Sequence, residues 1–219
     1  MRVEDKIYTF LCALFAVIVT IGNMIYQKFV ALPLLPFHTF EISVGVLFYP
    51  LAFLITDLIA EFYGKDRANF CVKLGVTMNV VATGILFFVD SLNATEWSKI
   101  DGETFHKVFG MYHIAFLGSM LACYTSQSID IRIYLWIKKL TKDRYLWLRN
   151  NVSTATSLLI DTSVVIGFMT LCGALAPETM MPLIFNSYAF KLFVTICSTP
   201  VFYLGVWAIK RATNSKIKT

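Results

Sequence analysis

Charge is scarce in this 219-residue chain: 15% of residues are Asp, Glu, Lys or Arg, against 57% hydrophobic and 15% aromatic. A soluble domain carries about 25% charged residues, so a water-exposed globule is excluded. Linkers are missing as well. No Gly/Ser-rich or Pro-rich stretch separates the apolar runs, and no other segment is long enough to fold alone, which leaves a single domain over 1–219. No P-loop occurs, so any coupling to ATP has to come from a partner. The five cysteines (Cys12, Cys71, Cys123, Cys172, Cys197) are scattered one to a run. That scatter offers neither a disulfide framework nor a metal cluster and reads as packing. Arg2 and Lys6 precede the first apolar run like a signal-peptide n-region, but the run is too long and no small-x-small cleavage site follows, so it reads as a retained span.

What is present is apolar sequence in lengths near the 20 or so residues that cross a bilayer as a helix. Six runs stand out: 7–27, 40–62, 70–90, 110–134, 151–174 and 187–209. Alternate ends of these runs differ in charge. Fifteen of the nineteen basic residues (Arg2, Lys6, Lys65, Arg67, Lys73, Arg132, Lys138, Lys139, Lys142, Arg144, Arg149, Lys210, Arg211, Lys216, Lys218) fall on one side, and Lys28, Lys99, Lys107 and Lys191 fall on the other. The basic side is cytoplasmic by the positive-inside rule. The expected fold is therefore an all-α polytopic membrane protein, a single bundle of six transmembrane helices with both termini cytoplasmic. The net charge of +5 reflects this topology. It does not point to nucleic acid, which would call for basic and aromatic residues interleaved on a soluble surface. The expected surroundings are lipid bilayer. "NAT" at 93–95 matches a glycosylation sequon in the polar external loop 91–109, a match common by chance and without meaning in a bacterium.

With little chain outside the bilayer, function is sought among the polar residues within it, which should face the bundle interior or a wet cavity. The fifth run gives the clearest pattern, "LRNNVSTATSLLIDTSVVIGFM" (148–169). Asn150, Thr154, Ser157 and Asp161 are spaced i, i+4, i+7, i+11 and form one polar stripe ending near the bilayer midplane. The opposite face, with Leu159, Val164 and Ile166, is apolar. In the second run Asp57 and Glu61 lie one turn apart. Glu61 has an ordinary structural use, pairing with Lys65 at i+4; Asp57 is too short and too deep for that. Gln127 and Asp130 share a face of the fourth run, while Arg132 reads as an interfacial anchor. Lys191, Thr195 and Ser198 share a face of the sixth, and Asp161 lies at a depth where it can pair with Lys191. Asn23, Gln27, His38 and Glu41 are weaker signals. Four runs thus bring carboxylate, amide or amine groups toward one interior, the expected lining of a ligand path.

Four segments carry a family resemblance: "TDLIAEFYGKDRAN" (56–69), "SQSIDIRIYLWIKKLT" (126–141), "WLRNNVSTATSLLIDT" (147–162) and "KLFVTICSTPVFY" (191–203). In this order they resemble the queuosine precursor transporter family, also called the vitamin uptake transporter family. The resemblance implies a multi-pass importer in the bacterial inner membrane. Its substrates would be 7-deazaguanine bases (preQ0, preQ1 or queuine) salvaged for tRNA modification. In the family pattern Ser157 is typically followed by Gln; here Leu158 removes that candidate base-reading amide.

The residues suit such a base. Its N1–H and exocyclic NH2 can both be accepted by one carboxylate, and its acceptors need donors. Asp57, Asp130 or Asp161 could supply the first, and Gln127, Arg149, Asn150, Asn151 or Lys191 the second. Tyr49, Phe53, Tyr63, Tyr124 and Tyr134 offer stacking surface. The expected substrate-binding set is Asp57, Glu61, Gln127, Asp130, Arg149, Asn150, Asn151, Ser153, Thr154, Asp161 and Lys191, with no catalytic residue, metal or cofactor. A homo-oligomer is allowed. Two other classes remain open at this level. One is a membrane subunit energised by a separate ATPase. The other is an intramembrane hydrolase, for which Ser119, with His113 on the same helix, makes a poor nucleophile–base pair.

Overall fold

Apolar side chains face outward and ionisable ones inward, the reverse of a water-soluble fold. Phe10, Phe88, Leu117, Trp136, Ile196 and Leu204 are exposed, whereas Asp57, Glu61, Asp130, Arg149, Asp161 and Lys191 are buried. A hydrocarbon solvent selects this arrangement, because a charge facing lipid costs several kcal/mol while Phe or Leu costs nothing. The computed structural model of the chain describes residues 2–26, 28–35, 38–110, 113–173 and 175–213, without the side chains of 34, 35, 38, 41 and 113–115. Gln27, Lys216 and Lys218 lie outside the described residues, as do the side chains of His38, Glu41 and His113.

Helix α1 spans Val3–Met24 and is followed by strands β1 (Phe29–Leu35) and β2 (His38–Ser43). The short α2 (Val44–Leu47) leads into the long α3 (Tyr49–Asp90), then α4 (Gly102–Phe109), α5 (His113–Leu140) and α6 (Leu146–Leu171). A 3-10 turn, Pro177–Thr179, precedes α7 (Met180–Thr213). Among the described residues four stretches are long and apolar enough to cross a membrane: Val3–Met24, Val44–Asp90, Leu146–Leu171 and Pro177–Thr213. Helix α5 falls short of that standard because Gln127, Asp130 and Arg132 interrupt its apolar sequence.

Helix α3 is two helices in one. At Gly64 the backbone takes φ 80 and ψ −177, a region essentially reserved for glycine. The break separates an arm over 49–63 from another over 65–90 and coincides with the gap between the expected runs 40–62 and 70–90. The start of α1 docks beside it: Tyr63 Oη donates to the Glu4 carbonyl at 2.8 Å and Tyr8 Oη to the Arg67 carbonyl at 3.0 Å. The Arg67 guanidinium lies over the Tyr8 ring. Phe15 and Val19 of α1, Phe53, Ile55 and Cys71 of α3 and Phe202 of α7 are buried, and most of them belong to one apolar core.

The hairpin β1–β2 departs from the all-helical expectation, and residues 40–43, assigned to the start of a helical run, are strand. Antiparallel pairing runs from Phe29↔Ser43 to Leu32↔Phe40, then shifts register before Leu35↔His38. Pro33, which has no N–H to donate, sits at that shift. Phe40 and Ile42 anchor the hairpin against Phe190 of α7, with the Phe40 and Phe190 rings 5.5 Å apart. Ser43 caps α2 by accepting from the Gly45 N–H. Gly45 is required by proximity: a Cβ there would run into the Gly22 carbonyl of α1.

Candidate functional site

Asp161 lies near the middle of α6, opposite Lys191 of α7. Lys191 Nζ donates to Asp161 Oδ2 at 2.8 Å and to Thr162 Oγ1 at 3.1 Å, and sits 4.8 Å from the centre of the Tyr49 ring. Tyr49 Oη donates to Asp161 Oδ1 at 2.6 Å, and Ser126 of α5 adds a longer bond of 3.3 Å. Three helices therefore hold the carboxylate of a fourth. This group forms part of the wall of a cavity of about 470 Å³, within the range of small-molecule sites. Its remaining lining is mainly apolar and includes Gly22 and Asn23 of α1, Tyr26 just beyond it, Phe29 and Ile42 of the hairpin, Phe116 and Ser119 of α5, the second half of α6 and Leu183 of α7. Asn23 accepts from Ser119 Oγ at 2.7 Å through Oδ1, and its buried Nδ2 has no hydrogen-bond partner among the described residues.

A second ion pair lies toward the Gly64 end. Arg149 Nη2 donates to Glu61 Oε1 at 2.7 Å, with both side chains 1% exposed. Tyr134 Oη donates to Glu61 Oε2 at 2.9 Å and accepts from Arg149 Nε at 3.2 Å. Lys138 reaches the same glutamate from the edge, at 3.2 Å from Oε2. Glu61 thus pairs across the bundle rather than with Lys65 along its own helix. Neither Glu61 nor Arg149 lines the cavity.

Between the two pairs is a buried polar layer. Thr56 Oγ1 donates to Gln127 Oε1 at 2.7 Å, leaving Gln127 Nε2 without a partner. Asp57 and Asp130 lie within hydrogen-bonding reach of each other. Ser153 and Ser157 flank Asp130, and Thr154 contacts Asp57 Oδ2 at 3.4 Å.

The expected stripe, Asn150, Thr154, Ser157 and Asp161, is buried throughout, and Ser153 is buried with it. Only Asp161 and Lys191 of the expected binding set reach the cavity, while Asp57, Glu61, Gln127, Asp130, Arg149, Asn150, Asn151, Ser153 and Thr154 do not line it. Asn151 points elsewhere and exchanges hydrogen bonds with Thr199 of α7. Of the candidate aromatic rings only Tyr49 lines the cavity, and Tyr124 faces outward. Ile166, assigned to the outer apolar face, instead lines the cavity. Leu158, standing where the resemblance leads one to expect Gln, is fully buried. The sequence signal for Asn23 was a lone amide near the end of an apolar run; its contribution depends on α5 and the hairpin, which bring Ser119 and the cavity to it.

The model of a family described as "Putative vitamin uptake transporter" matches residues 43–205. A protein of Bacillus subtilis (strain 168) named "Probable queuosine precursor transporter" is 32% identical over 166 residues, 74% of this chain and 70% of the relative. No solved structure matches.

Proposed function

Since the chain belongs to the vitamin uptake transporter family, we propose that it imports queuosine precursors, 7-deazaguanine bases such as preQ0, preQ1 or queuine. It is a multi-pass integral protein of the bacterial plasma membrane. Divided at Gly64 and joined by α5, the apolar helices make six crossings. The basic end around Gly64 then faces the cytoplasm, and the hairpin and cavity face outside.

The observation that carries this reading is the cavity's set of polar groups. Asp161 is an acceptor for an N–H and NH2 edge, and Lys191 and the unpartnered Asn23 Nδ2 are donors for ring or carbonyl acceptors. They stand in otherwise apolar walls where Tyr26, Tyr49 and Phe116 give a flat base its stacking surface. A buried hydrogen-bonding site rejects analogues that leave its groups unpaired by far more than an apolar pocket rejects a misfit. On the cytoplasmic side Glu61 and Arg149 close the path. The base would enter by displacing Lys191 or Tyr49 from Asp161 and leave once the inner pair opens.

The test is uptake in a strain unable to make queuosine precursors, supplied with preQ0, preQ1 or queuine separately and read as queuosine in tRNA. Asp161→Asn at equal membrane expression should abolish rescue. Undiminished rescue overturns the role of Asp161. Uptake by the purified chain in proteoliposomes distinguishes a self-sufficient carrier from a subunit that needs an ATPase.

A further inference from the structure

Counting the buried charges exposes an imbalance. Among the described residues four carboxylates are buried, Asp57, Glu61, Asp130 and Asp161, against two cations, Arg149 and Lys191. Asp161 has Lys191 and Glu61 has Arg149. Lys138, half-buried at the edge, is engaged by Glu61 and Asp143. Asp57 and Asp130, both 0% exposed, are left facing each other with no cation.

Their hydrogen bonding is incomplete in the same sense. Asp57 Oδ1 and both oxygens of Asp130 receive no hydrogen bond among the described residues. The nearby hydroxyls do not repair this. Ser157 stands beside Asp130, and its single hydroxyl proton is shared between that carboxylate and the Ser153 carbonyl at 2.8 Å. Ser153 is directed to the Asn150 carbonyl in the same way, at 3.4 Å. The remaining ionisable group near Asp57 is Glu61, itself an anion. Hydroxyls are the partners on offer, and no cation lies among the described residues beside the pair. Two like charges this close in low dielectric strongly oppose each other, and one proton converts the repulsion into an O–H···O hydrogen bond.

We propose that Asp57 and Asp130 form a proton-binding site that couples import of the base to inward movement of protons. The inference rests on the transport reading above. The proton comes from the outer solution, is held between the two carboxyls as an O–H bond on one and a hydrogen bond to the other, and leaves to the cytoplasm when the Glu61–Arg149 pair opens. The site lies between the outer cavity and the inner pair, so it can be filled from one side and emptied to the other without a continuous water path.

The experiment uses the purified full chain in proteoliposomes, with radiolabelled queuine, the membrane potential clamped at zero and the outside one pH unit more acidic. One proton per molecule predicts up to about tenfold accumulation, abolished by a protonophore. Asp57→Asn and Asp130→Asn should let queuine equilibrate without accumulating, and Asp130→Glu should restore part of the gradient. Wild-type accumulation that ignores the pH gradient, or that follows a sodium gradient at equal pH, overturns the proposal. A second measurement needs no substrate, so it stands even if the transport reading fails. Acid-minus-alkaline infrared difference spectra should contain the carbonyl stretch of a protonated carboxyl that is missing in Asp130→Asn. Wild-type protein without that band also overturns it.

Discussion

The two buried ion pairs use nearly the same chemistry for different ends. Asp161–Lys191 and Glu61–Arg149 are each a carboxylate bonded to a cation and a tyrosine hydroxyl, at 2.8 and 2.7 Å for the charged contact. One pair borders a cavity and the other is enclosed. The difference lies in the cation and in the backbone around it. Arg149 engages both Tyr134 and Glu61 through a planar fork, which locks three groups from three helices. Lys191 is a single point charge on a flexible stem, which under the proposed function lets a ligand displace it. Identical pair distances therefore say little about function; access and the replaceability of the cation say more.

The largest effect should come from breaking the enclosed pair. Arg149→Met leaves Glu61 buried without its fork, a change that costs about 3–5 kcal/mol in comparable sites. Thermal unfolding in detergent should show it, and adding Glu61→Leu should recover most of the loss. Full stability of the single variant would mean that water reaches Glu61. Next comes the backbone that builds this end. Gly64→Ala forces a side chain onto a conformation only glycine adopts easily and should cost about 1–3 kcal/mol, measured in the same way. The same loss from Gly84→Ala, within a regular helix, would remove the special status of Gly64.

The smallest effect is expected on the outer rim, away from both pairs. Asp101 caps α4 by accepting the Thr104 N–H at 2.7 Å, and this bond holds its carboxyl below the usual carboxylate range. Its stabilisation of α4 is present above that usual range and is lost as pH falls through the lowered value. Protection of the α4 amides, taken relative to their intrinsic exchange rates at each pH, should fall in acid, and Asp101→Ala should show that loss already at neutral pH with uptake unchanged.

Much of this arrangement was legible in the sequence because the bilayer makes hydropathy a strong signal and makes buried charge conspicuous. The stripe of α6 and the Asp161–Lys191 pairing followed from helical spacing and depth. Glu61 with Arg149 did not, because the partners are 88 residues apart and a nearer cation, Lys65, was available along the helix. The hairpin was missed for a different reason. Its first strand is apolar and carries Pro33, and residues 29–43 contain no Asn-Gly or Asp-Gly pair of the kind that marks a hairpin, so the segment reads as a loop followed by the start of a helix. Missing the hairpin also hid the cavity, and with it the place of Asn23 in its wall.

Binding of queuine to the purified protein tests the contrast between the pairs most directly. Calorimetry should show at least about a tenfold weaker affinity for Asp161→Asn, the loss of a charge-assisted bond made to the ligand. Glu61→Gln, which keeps its shape at the enclosed pair, should bind queuine nearly as the wild type does. Equal binding by the wild type and Asp161→Asn, or a loss confined to Glu61→Gln, would contradict the account.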